Sequence, residues 1–166
     1  GGGEGTDMME LRYEGYGPGN CMVIVDCLTD NASRTFNDVR LCFTKTKTKI
    51  GTQGSVSHMF DHLTILRFSG QDEEEVLDAL LMADVDVVDI ENEEGMLTVF
   101  APHTESFKAK QALAESFGEI DYDVDEIQFI AQNTVPLAGE DVDIFATFME
   151  MLEDLDDVQN VFHNVA

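Results

Sequence analysis

Five of the nine basic side chains fall within sixteen positions: Arg34, Arg40, Lys45, Lys47 and Lys49. Guanidinium and ammonium groups gathered this closely suit phosphate oxygens, so the cluster is the first candidate for nucleic-acid contact. It carries no pattern that reads base edges, so such contact would be with the backbone. The competing reading is an ordinary solvated helix face whose cations pair with Asp30 and Asp38 nearby.

Other residues raise chemistries that their spacing does not carry through. The run Tyr13 to Gly19 is glycine-rich, but it has neither the Lys-Ser/Thr ending of a phosphate-binding loop nor GxGxxG spacing before a helix. It reads either as a shaped strand connection, with glycine supplying backbone angles that other residues avoid, or as an interaction surface. Asp121, Asp123 and Asp125 begin like a calcium loop, yet Glu126 stands where glycine is required and Gln132 where glutamate is required. His58 and His62, with Asp61, are four apart on a strand leading into a turn, a spacing that does not converge on a metal there. Cys21 and Cys27 lie on one strand about 20 Å apart, too far to bridge, and read with Cys42 as core thiols. No nucleophile elbow, HExxH or Ser-His-Asp pattern is present by motif, so no catalytic residue, metal or cofactor is expected.

Charge narrows the classes further. The 166 residues hold 34 Asp and Glu against nine Lys and Arg, a net charge of −25. Residues 1–66 are nearly neutral at −2, residues 67–133 carry −15 and residues 134–166 carry −8. Such a chain repels polyphosphates and anionic membranes over most of its surface, so its few clustered cations matter more. A hydrophobic fraction of 43% suits a chain that buries a core rather than a disordered one. No apolar run is long enough to span a membrane. Three cysteines, an odd number, fit a reducing compartment, so a cytoplasmic site is expected. The opening Gly1-Gly2-Gly3-Glu4-Gly5, with no initiator Met, reads as a linker remnant over residues 1–7, and an N-terminal part is expected to be missing.

The elements that must hold these residues can be read from periodicity. Met9 to Tyr13 and Cys21 to Leu28 read as strands, the second apolar enough to be buried on both faces. Thr29-Asp30-Asn31 offers caps for a helix from about Arg34 to Lys45, with Phe36, Val39 and Phe43 on one face. A loop follows, then a strand over Ser55 to Phe60. Residues 62–133 then read as βαββαβ, the ferredoxin-like order. Its strands are expected at Leu63 to Phe68, Val85 to Ile90, Met96 to Phe100 and Ile120 to Ile130. Asp72 and Glu75 form a capping box for the first helix, and Thr104 is placed to cap the second. Glu140 to Leu155 is an amphipathic helix, and Val158 to Val165 a last strand. That helix and strand need a sheet to join, and the strands of residues 8–61 are the obvious host. The expected organisation is therefore α+β: a discontinuous first domain, 8–61 with 134–166, and an inserted acidic ferredoxin-like domain, 62–133.

Ordered motifs along the chain resemble one family. They are Arg12-Tyr13-Glu14-Gly15-Tyr16-Gly17-Pro18-Gly19, Leu28-Thr29-Asp30-Asn31-x-x-Arg34-Thr35, Val39-Arg40-x-x-Phe43-x-Lys45 and Gly54-Ser55-Val56-Ser57-x-Met59-Phe60, with the ending Asp156 to Asn164. Together they resemble the YebC/PmpR-like family, most closely its short YeeN-like bacterial variant. The resemblance implies cytoplasmic, non-enzymatic proteins of three domains, the first a basic helical bundle and the third a ferredoxin-like insert in the second. It implies transcriptional regulators that bind DNA, chiefly through the first domain. It also allows a ribosome-associated translation factor, since a mitochondrial relative activates translation of a cytochrome oxidase subunit. A third possibility is an acidic protein-protein interaction module with no nucleic-acid contact. Two departures stand out. Thr46-Lys47-Thr48-Lys49 replaces a glycine pair, and Ala138-Gly139 replaces a capping Ser before the last helix.

Overall fold

The structure, a computed structural model, describes residues 7–166. All of the expected linker except Asp7 lies outside the described residues. In chain order the elements are β1 (Met9–Tyr16), β2 (Met22–Thr29), α1 (Ala32–Lys45), β3 (Lys49–Ile50), β4 (Phe60–Phe68), α2 (Glu73–Met82), β5 (Asp89–Glu93), β6 (Met96–Pro102), α3 (Ser106–Phe117), β7 (Val124–Ala131), α4 (Glu140–Glu153) and β8 (Val158–His163). The fold is mixed α+β, with two four-stranded antiparallel sheets. Two compact units result. One comprises the described part of Gly1–Phe60 with Ile130–Ala166, and the other Asp61–Phe129.

The first unit is a sheet of order β3-β1-β2-β8 with α1 and α4 against one face. Alternate residues of β2 and its approach, Cys21, Val23, Val25 and Cys27, enter a core with Val39, Cys42 and Phe43 of α1 and Phe148 and Leu152 of α4. Period two on the strand thus meets helical period on both helices. Phe43 and Phe148 meet edge to face, with centroids 5.0 Å apart. Phe36, expected on the same buried face, is instead 41% exposed, its ring 5.9 Å from that of Tyr13. β2 is buried on both faces, since Ile24 on the opposite side is fully covered.

Ser55 to Phe60 does not form the expected strand. Residues Ser57–Met59 make a 3₁₀ turn, and the strand begins only at Phe60. The cause is Glu14, which is 2% exposed and pairs with Ile24 across the hairpin. Its Oε1 accepts hydrogen bonds from the Val56 and Ser57 N–H groups, each at 2.8 Å. Donors held by a carboxylate are lost to a strand ladder. Burial opposes this charge, but the converging hydrogen bonds outweigh it and hold the Glu14 pKa below its usual value.

The second unit has strand order β5-β6-β4-β7, which is two-three-one-four within the unit, the ferredoxin-like arrangement. Leu66 and Phe68 of β4, Leu97, Val99 and Ala101 of β6, Val76 and Leu80 of α2, and Ala109, Ala112 and Leu113 of α3 build its core. Asp72 caps α2 by accepting from the Glu75 N–H at 3.2 Å. Glu94 and Gly95, both at positive φ, turn the β5–β6 hairpin between the paired residues Glu93 and Met96.

Two expectations fail in this unit. Val85 does not start a strand: its N–H donates to the Leu80 carbonyl, and its side chain, 3% exposed, closes the end of α2. Thr104 does not cap α3, because His103–Glu105 forms a 3₁₀ turn ahead of it. Residues 130–133 fall with the first unit, where the Gln132 N–H donates to the Met59 carbonyl at 3.0 Å.

Candidate nucleic-acid interface

The sequence alternates as it leaves α1: Thr44, Lys45, Thr46, Lys47, Thr48, Lys49. The structure gives the two residue types different work. Thr46 Oγ1 donates to the Cys42 and Phe43 carbonyls at 3.1 and 3.0 Å, and Thr48 Oγ1 donates to Phe43 at 3.0 Å. The Thr48 and Lys47 N–H groups reach the carbonyls of Phe43 and Thr44 at 2.9 and 3.0 Å. The Cys42, Phe43 and Thr44 carbonyls left open at the helix end are thereby satisfied. With the threonines turned inward, Lys45, Lys47 and Lys49 are all exposed. None of the three is ion-paired among the described residues. Lys47 takes the left-handed backbone, φ 60, within the span that replaces the family's glycine pair.

The glycine-rich turn positions this loop. A Cβ on Gly15 would lie 2.8 Å from the Gly51 nitrogen and 3.0 Å from the Lys49 oxygen. Only glycine lets β3 come this close to β1, where Tyr16 pairs with Lys49. Gly19, at φ 66, packs where a Cβ would lie 2.4 Å from Leu137, which leads into α4. The strand-connection reading of Tyr13 to Gly19 therefore has a specific cause at Gly15 and Gly19. Tyr16, 44% exposed, and residues 17–20 then wall an open cleft of about 880 Å³ with Lys47, Lys49, Thr52, Asp141 and Ile144. A smaller groove beside it is lined by Lys45, Lys47, Glu140 and Asp143, so the lysines face the acidic first turn of α4. That turn starts at Gly139, which makes no side-chain cap.

The five cations named from sequence are not one patch. Lys45, Lys47 and Lys49 lie together at the C-terminal end of α1. Arg40 sits about 7 Å back along the helix axis at 1.5 Å per residue, its guanidinium 6.0 Å from the Phe36 ring. Arg34 is about 16 Å from Lys45 by the same rise, and it is committed elsewhere. It pairs with Asp30 at 2.9 Å and Asp157 at 3.0 Å. Asp157 also accepts from Thr35 Oγ1 at 2.9 Å. Those bonds, Thr35 first and then Arg34, hold the Asp157 pKa below its usual value against the effect of burial. Sequence reasoning anticipated Asp30 as a partner but not Asp157, which arrives from the far end of the chain. It also missed Tyr16, Thr52 and Asp141 as neighbours of the lysines. The only available signal was the glycine spacing that draws β3 onto β1.

The other candidates are placed as follows. Desolvation raises the Cys21 thiol to about 11 and the Cys27 thiol to about 12, so both stay protonated and inert at neutral pH. His62 is stacked between His103 at 3.8 Å and Phe129 at 3.9 Å. Asp125 pairs with Lys110 at 2.9 Å. Among the described residues no group of three or more His, Cys, Asp or Glu is placed to hold a metal ion. None of their helices is long and apolar enough to cross a membrane.

Comparison with known proteins agrees with the motifs. A curated protein of Hydrogenovibrio crunogenus named "Probable transcriptional regulatory protein" is 67% identical over 165 residues, covering 99% of this chain and 69% of that protein. One of the same name from Chromohalobacter salexigens is 66% identical over 160 residues, covering 96% and 67%. The crystal structure of a conserved hypothetical protein from Aquifex aeolicus matches with a TM-score of 0.72 at 29% identity, over 98% of this chain and 67% of that one. Residues 8–165 match the family model described as "TACO1/YebC second and third domain". The chain belongs to the YebC family of regulatory proteins.

Proposed function

We propose that this chain is the part of a non-enzymatic transcriptional regulator that touches DNA through Lys45, Lys47 and Lys49, with Arg40 beside them. One observation carries the reading. In a chain of net charge −25, three lysines are held outward on a pinned helix end with no ion pair among the described residues. Arg34 has a positioning role in it, tying α1 to the segment before β8. The relatives' shared name supports a regulator. A strip of three cations grips weakly against such a field, so in the whole protein a basic N-terminal domain supplies most of the affinity. The work takes place in the cytoplasm, where three unpaired thiols persist.

One feature favours a second reading. The hydroxyls of Thr46 and Thr48 are spent on the helix end, so the residues between the lysines offer no base-reading group. Such a strip suits ribosomal RNA as well as DNA, and a ribosome-bound translation factor fits the same chemistry. Binding of the full-length protein to duplex DNA, RNA and ribosomes across a salt series tests both. Each phosphate contact with duplex DNA contributes about −0.9 to the log–log slope, so three lysines account for roughly −2.7. Co-sedimentation with ribosomes that survives nuclease removal of DNA selects translation. A slope near zero for every ligand refutes both readings.

A further inference from the structure

The second unit exposes large apolar side chains at one end of its helices. Met82, the last residue of α2, is 89% exposed, and Phe107, in the first turn of α3, is 77% exposed. Leu81 and Val88 are exposed to 54% and 56%. Two hydrogen bonds join the segments that carry them. Lys108 Nζ donates to the Asp84 carbonyl at 2.7 Å, and the Asp86 N–H donates to Glu105 Oε1 at 2.9 Å. Asp84 is two residues past Met82, and Lys108 directly follows Phe107, so the C-terminal end of α2 and the start of α3 form one surface. The core does not use these side chains, since α2 contributes Val76 and Leu80 to it, and α3 contributes Ala109, Ala112 and Leu113. An exposed Phe and an exposed Met on two joined helix ends are the composition of an interface centre rather than of ordinary surface.

The rim decides what could sit there. Asp78, Asp84, Asp86 and Asp89 surround the apolar residues in sequence and are all exposed. Lys108, which follows Phe107 in sequence, is 3.8 Å from Glu105, and Lys110 is paired with Asp125. An apolar centre inside an anionic field repels nucleic acid and anionic lipid. A second copy would bring the same field and another −25. The complementary occupant is a protein segment rich in Lys and Arg that carries one or two large apolar anchors. We propose that the end of the second unit formed by Met82 and Phe107 docks such a cationic, apolar-anchored segment. This goes beyond the nucleic-acid reading and rests on different residues.

The test uses the whole chain and a synthetic helical peptide of about 16 residues, with Leu on one face and Lys on the other. The comparison peptide has every Leu replaced by Ser at the same charge. The expected result is roughly tenfold tighter binding of the Leu peptide, equivalent to about 1.4 kcal/mol. That advantage should be lost in the double variant Met82→Ser/Phe107→Ser, with the melting curve unchanged because both sites are exposed. Equal affinity for the two peptides, or an advantage that survives in the double variant, overturns the proposal. So does a dimer of the unaltered chain that the double variant dissociates, since a second copy would then own the surface.

Discussion

Thr35 and Asp157, 122 positions apart, are joined by a 2.9 Å hydrogen bond from hydroxyl to carboxylate. Thr35 is 1% exposed, and its hydroxyl also lies 2.7 Å from that of Thr29. The start of α1 is thus tied to the segment that leads into β8, which itself pairs with β2. Thr35→Val removes this buried hydroxyl and its one donated bond, leaving Asp157 with its Arg34 bonds alone, at a cost of about 1–2 kcal/mol. Denaturant titration at neutral pH should show that loss. The Asp157 pKa is depressed in the fold, so its contribution is present above the unfolded value near 3.8 and fades as pH falls through the folded value. Asp157→Asn should therefore flatten the acid end of the stability profile.

Replacing Lys45, Lys47 and Lys49 together by Ala should change stability little, because none of their ammonium groups is ion-paired among the described residues. In the full-length protein it should reduce the salt slope for duplex DNA by roughly 2–3. Lys47→Gly separates charge from backbone. It relieves a left-handed residue, a conformation costing roughly 1 kcal/mol, while removing one ammonium. The expected outcome is equal or higher stability with a slope reduced by about 0.9. Arg34→Ala should do the reverse, lowering stability while leaving the slope alone, since its guanidinium is held by Asp30 and Asp157.

Gly15→Ala removes no charge, yet it should weaken the same interface. The added Cβ would sit 2.8 Å from a backbone nitrogen of Gly51, and no side-chain rotation relieves that contact. β3 has only two residues, so displacing it costs little pairing and becomes the easiest response. We expect a loss of about 1–3 kcal/mol in stability together with weaker nucleic-acid binding, read by thermal melt and salt titration. Gly54→Ala is the control, because nothing lies within 4 Å of its added carbon, although its φ of 90° carries its own strain. Stability lost at both sites with binding unchanged would detach the loop from the interface.

Periodicity made most of this fold legible. The nearly continuous apolar run from Cys21 to Leu28, with helical spacing at Val39 and Phe43 and at Phe148 and Leu152, marked the strand and helices that build the first core. Local patterning failed where a distant group captured the backbone. Ser55 to Ser57 has strand composition, but Glu14 takes its N–H groups. Val85 has strand composition too, but the end of α2 needs it as a cover. The candidate site was half legible for the same reason. Clustering named the lysines, while the commitment of Arg34 to Asp157 depends on a contact spanning 123 positions, which no local window contains.

His163 supplies a pH test of the same sheet. It pairs with Val23 at the end of β8, its ring lies 5.0 Å from Phe145, and its Nδ1 accepts from the Val165 N–H at 3.1 Å. Acceptance at Nδ1 requires that nitrogen to be unprotonated. Burial lowers the pKa below the usual 6.5, and nearby Glu153 only partly opposes it. On acidification below about 6.5 the unfolded chain takes up a proton that the folded one refuses, so folding weakens until the folded pKa is passed. Above about 6.5 the contribution is complete and independent of pH. His163→Asn keeps an acceptor oxygen near Nδ1 but cannot titrate. Denaturant unfolding at about pH 5 and about pH 7.5 should show a smaller difference for this variant than for the unaltered chain. Equal differences in the two would mean that Val165 finds another acceptor when the imidazole is charged.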